Sequence, residues 1–580
     1  MTSERHGPRQ RLRGAHWLLL AMLVAHAVLA VTSLVGKSVT VDEFGHLPAG
    51  VYLLETGDFT HASLNPPLMH WLSALPVRFV EPSGRPNPVA PAARELYRST
   101  ANPFWRDGYR YMLERGADYQ RSFVAARTAS VAVVSLLAIA LYAWARELSA
   151  TRPDFAGLLA AGLVLFSPNM IAHGRLVTTD AGAAAAMTIA LYMAWRFLHR
   201  PGPSRAACLG LALGAAQLVK FTALLLLPVI ALLIAVSWAR ADSALRSRIL
   251  AGSGLAFAIA LAVLHLGYGF TRPFPPLGGF EFESSRLQMV SSLLPAATLV
   301  PLPRDYVSAL DRQSRAIEQG DPSYLLGRSY HGGRWDYFLV LLATKTPLPI
   351  LLLAAWVAAR VVRTRGRGSG DALLFLLGPA AALLAVSSFG SEKQIGLRMV
   401  LPALPLGWCF IAVVLASAPP QRLRDRAAGL AVAAVALVSL AIHPDYLSYY
   451  NALAGGPSRG DRVAVQSNYD WGQDLIQLRE QVELHGGGPI QLLYFGRVDP
   501  AIYGIDYSVP AGARVRPGLL AISATLQGRG YSLYDHGRLV HFRRPLEVEA
   551  ARLGEPIATA GHSIRLYRVP RSEQPVGAEP

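Results

Sequence analysis

Two adjacent carboxylates, Asp42 and Glu43, lie a few residues beyond an apolar segment, in the stretch KSVTVDEFGHLPAGVYLLETGDFTHASLNPPLMHWL. A carboxylate in such a place can accept the proton of an attacking hydroxyl group while positive charge builds on a sugar carbon. A solvated loop pair, or a helix that begins at Glu43 with Asp42 as its N-cap, explains the same residues without chemistry. Both interpretations stay open, and Asp42 and Glu43 are candidate catalytic residues.

Histidine and asparagine side chains follow the carboxylates in the same stretch. Glu43 and His46 are spaced i, i+3, which places them on one face of any helix that begins here. Pro66-Pro67 forces an extended turn, which can fix a loop that faces a substrate. For any single histidine, a structural place at the membrane interface is the simpler explanation. The candidates for contact with a sugar or an acceptor are His46, His61 and Asn65, with His70 for a phosphate.

A further acidic residue, Asp180, ends the segment NMIAHGRLVTTD between two apolar runs. Asp180 and Arg175 beside hydrocarbon are unfavourable unless they are paired or used. Asp180 either caps the following helix or adds a second carboxylate to the same site, with Arg175 as a sugar or acceptor contact. A divalent metal between Asp42 and Asp180 is compatible with the sequence but not required by it. No HExxH motif, P-loop or Cys/His metal spacing occurs, so no cofactor is required.

Lysine occurs at only four positions, and three of them lie near span ends together with a conspicuous arginine. Fixed Lys and Arg contacts stabilise the charge that a phosphate leaving group acquires in the transition state. Snorkelling to lipid headgroups is the simpler explanation for such cations. The candidate ligands for a donor phosphate are Lys220, Lys345 and Arg398, and Lys393 is a candidate sugar or acceptor contact.

The composition indicates a polytopic membrane protein. Of the 580 residues, 52% are hydrophobic and only 16% are charged, and the mean hydropathy is +0.31. Such a chain is too apolar to be water-soluble. The formal net charge of +17 alone would fit a nucleic-acid binder, but most of the excess arginines fall in short loops on one side of the predicted membrane. Nucleic acid is therefore not an expected partner.

Apolar runs joined by short loops predict about eleven transmembrane helices of roughly 20 residues each. We place them at 17–35, 123–145, 155–172, 181–198, 205–219, 221–238, 249–270, 336–359, 372–388, 399–417 and 427–442. The first run is predicted to be an uncleaved anchor, with a cleaved signal peptide as the alternative. The membrane domain is thus 16–442, preceded by a cytoplasmic segment, 1–15.

The positive-inside rule assigns the two sides of this domain. Loop arginines put the N-terminus in the cytoplasm, so 36–120 and 271–335 become long extracytoplasmic loops. Residues 36–120 are predicted to form helices that lie on the membrane surface. Beyond residue 443 the composition changes, and 443–580 is predicted to be a small extracytoplasmic α/β domain. Its predicted strands and helix are at 463–465, 490–495, 519–523, 563–569 and, for the helix, 471–484.

Taken in order, the motifs resemble those of the GT-C class of membrane glycosyltransferases, and within it the protein O-mannosyltransferase and lipid A aminoarabinose transferase-like group. The match is carried by VDEFGH with LNPPLMHWL, by SPNMIAHGRLVTTD, by LVKFTALLLLP, by SYHGGRWDYFLVLLATKTPLP and by IGLRMVLPALP. The segments DYLSYYNALAGGP and SNYDWGQDL resemble the junction and tail of bacterial members. The resemblance runs from about residue 36 to 480.

The resemblance implies the GT-C fold and a sugar donor that is carried on polyprenyl phosphate. By the same resemblance, Asp42 is the acceptor-side base or its organiser, with Glu43 beside it. Asp180 is then the second acidic residue, and Lys345 and Arg398 lie near the lipid phosphate. Many relatives carry Lys where this chain has a histidine after Pro-Pro, so the phosphate role of that histidine stays open.

The expected function is transfer of a sugar from polyprenyl phosphate to an extracytoplasmic hydroxyl of a protein, lipid or glycan. The expected place is a bacterial inner membrane, with the site on the extracytoplasmic face and the lipid bilayer as a partner. A transporter or lipid flippase is the alternative, although its ionisable groups would lie near the bilayer midplane. In a non-catalytic assembly subunit, replacing Asp42 would change only stability.

Overall fold

Helices make up most of the computed structural model, which describes residues 8–62, 64–85, 88, 92–510, 515–529, 532–535, 538–541 and 553–570. The α-helices are α1 (Pro8–Val35), α2 (Glu43–Thr56), α3 (Leu68–Ala74), α4 (Ala92–Ser99), α5 (Pro103–Arg115), α6 (Tyr119–Leu148), α7 (Pro153–Leu165), α8 (Pro168–Gly174), α9 (Asp180–His199), α10 (Pro203–Gln217), α11 (Leu226–Arg240), α12 (Ser243–Gly267), α13 (Ser285–Ser292), α14 (Arg304–Gln319), α15 (Tyr337–Lys345), α16 (Leu348–Thr364), α17 (Gly370–Ala372), α18 (Gly378–Phe389), α19 (Ala403–Ser417), α20 (Arg422–Ala441), α21 (Leu475–Leu484) and α22 (Ala524–Arg529).

The strands are few and lie mostly in the tail. They are β1 (Pro322–Leu325), β2 (Arg328–His331), β3 (Ile490–Leu493), β4 (Tyr507–Ser508), β5 (Gly518–Ser523), β6 (Ser532–Asp535), β7 (Arg538–His541), β8 (Ala558–Ala560) and β9 (Ile564–Val569). The order in the largest sheet is β4-β3-β5-β9-β8. In this sheet β3 is parallel to β4 and β5, whereas β9 is antiparallel to β5 and β8.

Several helices have the length and apolar character needed to cross a membrane. Within the described residues, six segments qualify, and two bent pairs raise the number to as many as eight. They are Gly14–Val35, Pro103–Leu148, Asp180–His199, Phe221–Arg240, Ser243–Gly267 and Gly370–Phe389, with Pro153–Leu165 plus Pro168–Gly174 and Tyr337–Lys345 plus Leu348–Thr364 as the bent pairs. The chain is therefore a multi-pass membrane protein, and the predicted class of a helical polytopic protein is confirmed.

The number of spans is smaller than the predicted eleven. Three predicted spans correspond to α10, α19 and α20. Both α10 and α19 have 15 residues, which at about 1.5 Å per residue is too short for a hydrocarbon core of about 30 Å. The first turns of α20 carry the charged run RLRDR, which shortens its apolar part. These helices pack within the membrane domain without meeting the requirement for a span.

Proline bends the chain where it approaches the candidate site. The axes of α15 and α16 differ by 114°, and the break is at Thr346-Pro347. A residue before proline is pushed out of the helical region, and Thr346 indeed has φ −84° and ψ 131°. The axes of α7 and α8 differ by 62° at a second break, where Ser167 precedes Pro168. The first bend places α15 against the turn Leu397–Val400, and the second places α8 against α9, which begins at Asp180.

Glycines allow α10 and α12 to approach each other closely. A Cβ atom on Gly210 would lie 2.5 Å from the carbonyl oxygen of Ala256, and one on Gly214 would lie 2.8 Å from that of Ala260. This spacing of small residues four apart is the pattern by which membrane helices bring their backbones together. It fixes α10 against α12 and thereby places the chain that follows α10, which carries Lys220.

The segment that follows α1 and the tail share one hydrophobic core. Phe44 and Leu47 of α2 and Tyr111 of α5 belong to the same buried cluster as Leu478 of α21 and Leu492 of β3. Consecutive residues of α2 from Glu43 to Leu53 are buried. The prediction that this segment forms helices lying on the membrane surface is therefore wrong for α2, because the tail covers it.

All but one of the elements predicted in the tail are observed, and β4, β6, β7, β8 and α22 are present in addition. The strands predicted at 490–495, 519–523 and 563–569 correspond to β3, β5 and β9, and α21 lies within the predicted helix. The strand predicted at 463–465 is absent from the described structure, because these residues follow a 3₁₀ turn, Pro457–Arg462. Val463 and Val465 are buried there, which explains their apolar character without a strand.

Candidate active site

Asp42 lies at the first turn of α2, directly after a segment that is pinned to the tail. The backbone N–H of Val41 donates to the carbonyl of Trp471 over 3.0 Å. The Asp42 carboxylate makes no capping hydrogen bond to α2. Its Oδ2 lies instead 2.8 Å from Nη1 of Arg398, and 22% of the Asp42 side chain is exposed. The carboxylate therefore has a cationic partner and a free approach from one side.

Asp180, the first residue of α9, is enclosed. Its side chain is 1% exposed, and the N-cap of the helix is Thr179 rather than Asp180. One carboxylate oxygen accepts a hydrogen bond from Nζ of Lys220, and the other lies 3.3 Å from Nη1 of Arg398. Asp180 thus compensates two cations at once.

Arg398 lies between the two carboxylates, in the short 3₁₀ helix Leu397–Val400. Gly396 before it has φ 144°, a conformation that favours glycine. A Cβ atom at this position would lie 2.1 Å from Oγ of Ser467. Burial disfavours the guanidinium charge, but Asp42 and Asp180 outweigh this effect and raise the pKa of Arg398. The arginine therefore stays charged, as a fixed phosphate or carboxylate ligand should.

Four charged residues from separate parts of the chain thus form one charged cluster, namely Asp42, Asp180, Lys220 and Arg398. The cluster contains two carboxylates and two cations. Asp42 is its most exposed member and Asp180 its most buried. Because opposite charges are paired, the cluster can exist in a partly buried place. An incoming anion can interact with the same cations.

Glu43 lies outside the charged cluster. Both of its oxygens accept hydrogen bonds from Arg127, over 2.8 and 2.7 Å, and neither side chain is exposed. The backbone N–H groups of Thr40 and Val177 donate to the same carboxylate. Burial opposes ionisation, but the charge and hydrogen bonds of Arg127 outweigh it and lower the pKa of Glu43. Glu43 therefore joins α2, α6 and the segment before α9.

His46 and His70 form a buried pair beside the charged cluster. His46 Nδ1 and His70 Nε2 are 2.8 Å apart, and the two rings are stacked. Burial and the nearby cations lower the pKa of His46 to about 3, although Asp180 opposes this shift. Burial, followed by the proximity of His46, lowers the pKa of His70. Both imidazoles are therefore neutral near pH 7, and neither offers a positive charge to a phosphate.

Three other predicted site residues are bonded elsewhere. His61 Nδ1 lies 2.6 Å from Asp107, and Arg175 donates to the carbonyl of Ser33 over 2.9 Å. Nζ of Lys345 is buried and donates to the carbonyls of Leu447 and Asn468. The structure does not bring these three side chains into the charged cluster.

A cavity of about 260 Å³ adjoins the charged cluster through Lys220, which belongs to both. Asn65, Arg286 and Lys393 also line it. Lys393 lies 3.0 Å from Asp321, and Arg286 lies 3.9 Å from Glu318. The described lining of the cavity contains the cations Lys220, Arg286 and Lys393, several apolar side chains and no carboxylate. A cavity of this kind suits an anionic group that is attached to an apolar one.

Sequence reasoning missed residues that complete the cluster. The ring of Trp471 lies 4.5 Å from the Arg398 guanidinium carbon, and Oγ of Ser467 accepts a hydrogen bond from Arg398 Nε over 3.2 Å. Both belong to SNYDWGQDL, a motif that marked the tail but gave no role to individual residues. Arg286 was missed because nothing local distinguishes it from other loop arginines.

The predicted alternative of a divalent metal between Asp42 and Asp180 would need a cluster of ligands. Within the described residues, no group of three or more His, Cys, Asp or Glu side chains is arranged to hold a metal ion. Asp42 and Asp180 share the Arg398 guanidinium, so a cationic side chain lies between the two predicted metal ligands.

Residues 90–271 match the family model described as dolichyl-phosphate-mannose-protein mannosyltransferase. The resemblance seen in the motifs is confirmed over this region. No curated protein sequence matches the chain. The structure is similar to ArnT from Cupriavidus metallidurans bound to undecaprenyl phosphate, with 11% identity over 95% of this chain and 98% of that chain and a TM-score of 0.48.

Two further solved structures are similar at a comparable level. ArnT from the same organism in the apo state has 13% identity over 96% of this chain and 98% of that chain, with a TM-score of 0.48. The archaeal oligosaccharyltransferase AglB from Archaeoglobus fulgidus, in complex with an inhibitory peptide and a dolichol-phosphate, has 13% identity. That match covers 84% of this chain and 64% of that chain, with a TM-score of 0.40. With TM-scores below 0.5, these likenesses are weak.

Proposed function

We propose that the chain transfers a sugar from a polyprenyl-phosphate donor to a hydroxyl acceptor, in keeping with the match of residues 90–271 to the family model described as dolichyl-phosphate-mannose-protein mannosyltransferase. The observation that carries the proposal is the charged cluster beside a cationic cavity. A partly exposed carboxylate, Asp42, is held 2.8 Å from Arg398, and Lys220 connects the cluster to the cavity. A base and a phosphate site are thereby adjacent.

Asp42 takes the role of general base in this proposal. The acceptor oxygen forms a bond to the anomeric carbon of the sugar and gives its proton to the Asp42 carboxylate. The bond from that carbon to the phosphate oxygen breaks, and its electron pair stays on the phosphate. This single displacement inverts the anomeric configuration, because the second carboxylate of the charged cluster is paired with cations and does not act as a nucleophile. Asp180, bonded to Lys220 and Arg398, organises the cations.

The cations of the cavity stabilise the leaving phosphate. Lys220, Arg286 and Lys393 line it, and fixed cations lower the free energy of a transition state in which the phosphate gains charge. We assign the apolar part of the lining to the first isoprene units of the donor. We do not assign Lys345 and His70 to the phosphate. Lys345 donates to backbone carbonyls, and His70 is hydrogen-bonded to His46.

We further assign the reaction to the extracytoplasmic face of a bacterial inner membrane. The arginine-rich short loops support a cytoplasmic N-terminus, and the tail motifs resemble bacterial members of the class. Residues 16–442 then form the membrane domain and 443–580 an extracytoplasmic domain. The acceptor is a protein, lipid or glycan hydroxyl on that face.

The test uses purified chain in lipid with a panel of radiolabelled polyprenyl-phosphate sugars and a cell-envelope acceptor extract. We expect turnover of one donor by the wild type and a loss of about 10²- to 10⁴-fold in Asp42→Asn. Asp58→Asn is the matched control, because Asp58 is an exposed carboxylate of the same segment that caps a local turn. It should keep wild-type turnover.

The other outcomes decide against the proposal in different ways. Equal turnover by wild type and Asp42→Asn would exclude Asp42 as the base. Movement of the donor between leaflets without release of sugar would favour a flippase. If no donor of a complete panel turns over and Asp42→Asn changes only the melting temperature, the chain is a non-catalytic subunit.

A further inference from the structure

One short segment of the tail, 467–474, contacts both sides of the charged cluster. We propose that this segment positions Asp42 and Arg398 for the transfer, with Trp471 as the positioning residue. The tail then completes the active site and is not an accessory binding domain. This inference rests on the proposed function and gives the tail a role within it.

The segment holds Arg398 from two directions. Oγ of Ser467 accepts a hydrogen bond from Nε over 3.2 Å, and the Trp471 ring lies 4.5 Å from the guanidinium carbon. Trp471 is only 3% exposed, and a desolvated cation–π contact is the stronger kind. The backbone before Arg398 is held as well, because Leu397 N–H donates to Oδ1 of Asn468 over 2.9 Å.

The same segment holds the chain that leads to Asp42. The Val41 N–H donates to the Trp471 carbonyl over 3.0 Å, and the Ser38 N–H donates to the Gln473 carbonyl over 2.9 Å. The Ser38 hydroxyl donates to the Gly472 carbonyl over 2.8 Å. Trp471 therefore contacts the arginine through its ring and the residue next to Asp42 through its backbone.

A buried ionic group anchors this arrangement. Lys37 is 1% exposed, and its Nζ contacts Asp445, Asp474 and Gln477. Asp445 follows α20, Asp474 directly precedes α21, and Gln477 lies on α21. Ser563, next to β9, donates to Asp474 over 2.6 Å. The sheet of the tail is thus connected through Asp474 and Lys37 to the loop that carries the base.

The geometry has a kinetic consequence. A base and a phosphate ligand on separate elements must keep their separation during the reaction, since a displacement of about 1 Å can lower the rate by about 100-fold. Removing the ring of Trp471 leaves Arg398 free to move away from Asp42. The chemical step should suffer, whereas the cavity that binds the lipid phosphate stays intact.

The test compares Trp471→Leu with Trp471→Phe in the full chain in lipid. We expect Trp471→Leu to lower kcat by about 10- to 30-fold, the range of a desolvated cation–π contact, with less than a threefold change in the donor KM. Trp471→Phe keeps a ring and should retain most of kcat. Trp144→Leu is the matched control and should leave kcat unchanged, because the buried Trp144 stacks on Tyr192, which lies about 18 Å along α9 from Asp180 at the helical rise per residue.

A second measurement needs no donor. Melting temperatures of Trp471→Leu, Arg398→Gln and the double variant form a double-mutant cycle, in which contacting residues are non-additive. We expect the double variant to melt well above the value that addition of the two shifts gives. Additive shifts, or a Trp471→Leu enzyme with wild-type kcat, would overturn the inference. Absence of turnover by the wild type would instead overturn the proposed function, and the melting cycle would still decide the inference.

Discussion

Asp42 and Asp180 carry the same functional group in different surroundings, and the surroundings separate their roles. Asp42 is 22% exposed and has one cationic partner, so an acceptor hydroxyl can reach it. Asp180 is 1% exposed and has two cationic partners, so its charge is committed to them. In the proposed reaction, two aspartates on one arginine thus act as base and organiser without any difference in covalent structure.

Glu43 stands beside Asp42 in the sequence, yet it is buried against Arg127 outside the charged cluster, and we propose that it stabilises the fold. We expect Glu43→Gln to destabilise the chain by about 3–5 kcal/mol, because Arg127 would keep a buried charge without its partner. Since the folded pKa of Glu43 is lowered, its stabilisation is present above the unfolded pKa of about 4.3 and is lost as the pH falls through the lower folded pKa. Thermal unfolding in lipid from pH 7 to pH 3 measures this.

The control for that experiment is Glu55→Gln, on the exposed side of the same helix. It should shift the melting temperature little and keep the acid dependence of the wild type. If Glu43→Gln melts like the wild type and loses activity to the extent of Asp42→Asn, Glu43 is a catalytic residue after all.

Asp470, next to the positioning tryptophan, gives the tail a pH dependence of the opposite sign. Burial raises its pKa to about 7, and its carboxylate accepts from the Thr525 N–H over 2.9 Å. Because the folded pKa is raised, the stabilisation from the protonated Asp470 carboxyl group is fully present below the unfolded pKa of about 3.9. It is lost as the pH rises to the folded pKa of about 7. Asp470→Asn should abolish that decline, on the order of 2–4 kcal/mol between pH 4 and pH 8.

Melting curves of the wild type and Asp470→Asn at several pH values are the measurement. Asp506→Asn, an exposed carboxylate in the same tail, should keep the wild-type decline. Parallel curves for Asp470→Asn and the wild type would show that the carboxyl group does not bind a proton in the folded tail.

At the scale of elements, the turn that presents Arg398 leaves no room for a side chain at Gly396. Gly396 has φ 144°, and an added Cβ atom would lie 2.1 Å from Ser467 Oγ. We expect Gly396→Ala to cost about 1–3 kcal/mol of stability and to lower kcat, because the turn must shift away from Ser467. Gly407→Ala, in open space on α19, is the control. Equal melting temperatures and rates for both variants would show that the turn tolerates a side chain.

The same scale shows what the sequence can predict. Apolar periodicity and Arg-rich loops located most helices, and alternation located β3, β5 and β9. Motif order placed Asp42, Asp180, Lys220 and Arg398 on a candidate list, because each stands at a polar segment beside an apolar run. The sequence does not predict which arginine each carboxylate contacts, because Asp42 and Glu43 are neighbours with equal sequence signals. Only the fold pairs Glu43 with Arg127 and Asp42 with Arg398.

Contacts over long sequence separations explain the remaining differences. Lys345 has the sequence signal of a phosphate ligand, but carbonyls of Leu447 and Asn468, far along the chain, satisfy it. Trp471 has the signal of a core residue, yet it contacts Arg398. The tail also covers α2, so helices that amphipathic patterns assigned to a membrane surface are partly enclosed by protein.

At the scale of the whole molecule, the cationic cavity should make stability depend on the donor lipid. A ligand that binds only the folded chain stabilises it by about 2.7 kcal/mol at a concentration of 100 Kd. We expect polyprenyl phosphate, the product without its sugar, to raise the melting temperature in lipid. Lys393→Gln and Arg286→Gln should each reduce this rise, because both cations line the cavity and charge-assisted contacts to phosphate are strong.

Arg363→Gln, near the end of α16 and outside the cavity, is the matched control, and it should keep the full rise. A neutral polyprenol of the same length separates the phosphate from the apolar chain and should stabilise the protein less than the phosphate does. If the polyprenol and the polyprenyl phosphate raise the melting temperature equally in all variants, the cations of the cavity do not bind phosphate. The leaving group would then have to be held by Arg398 and Lys220 within the charged cluster alone.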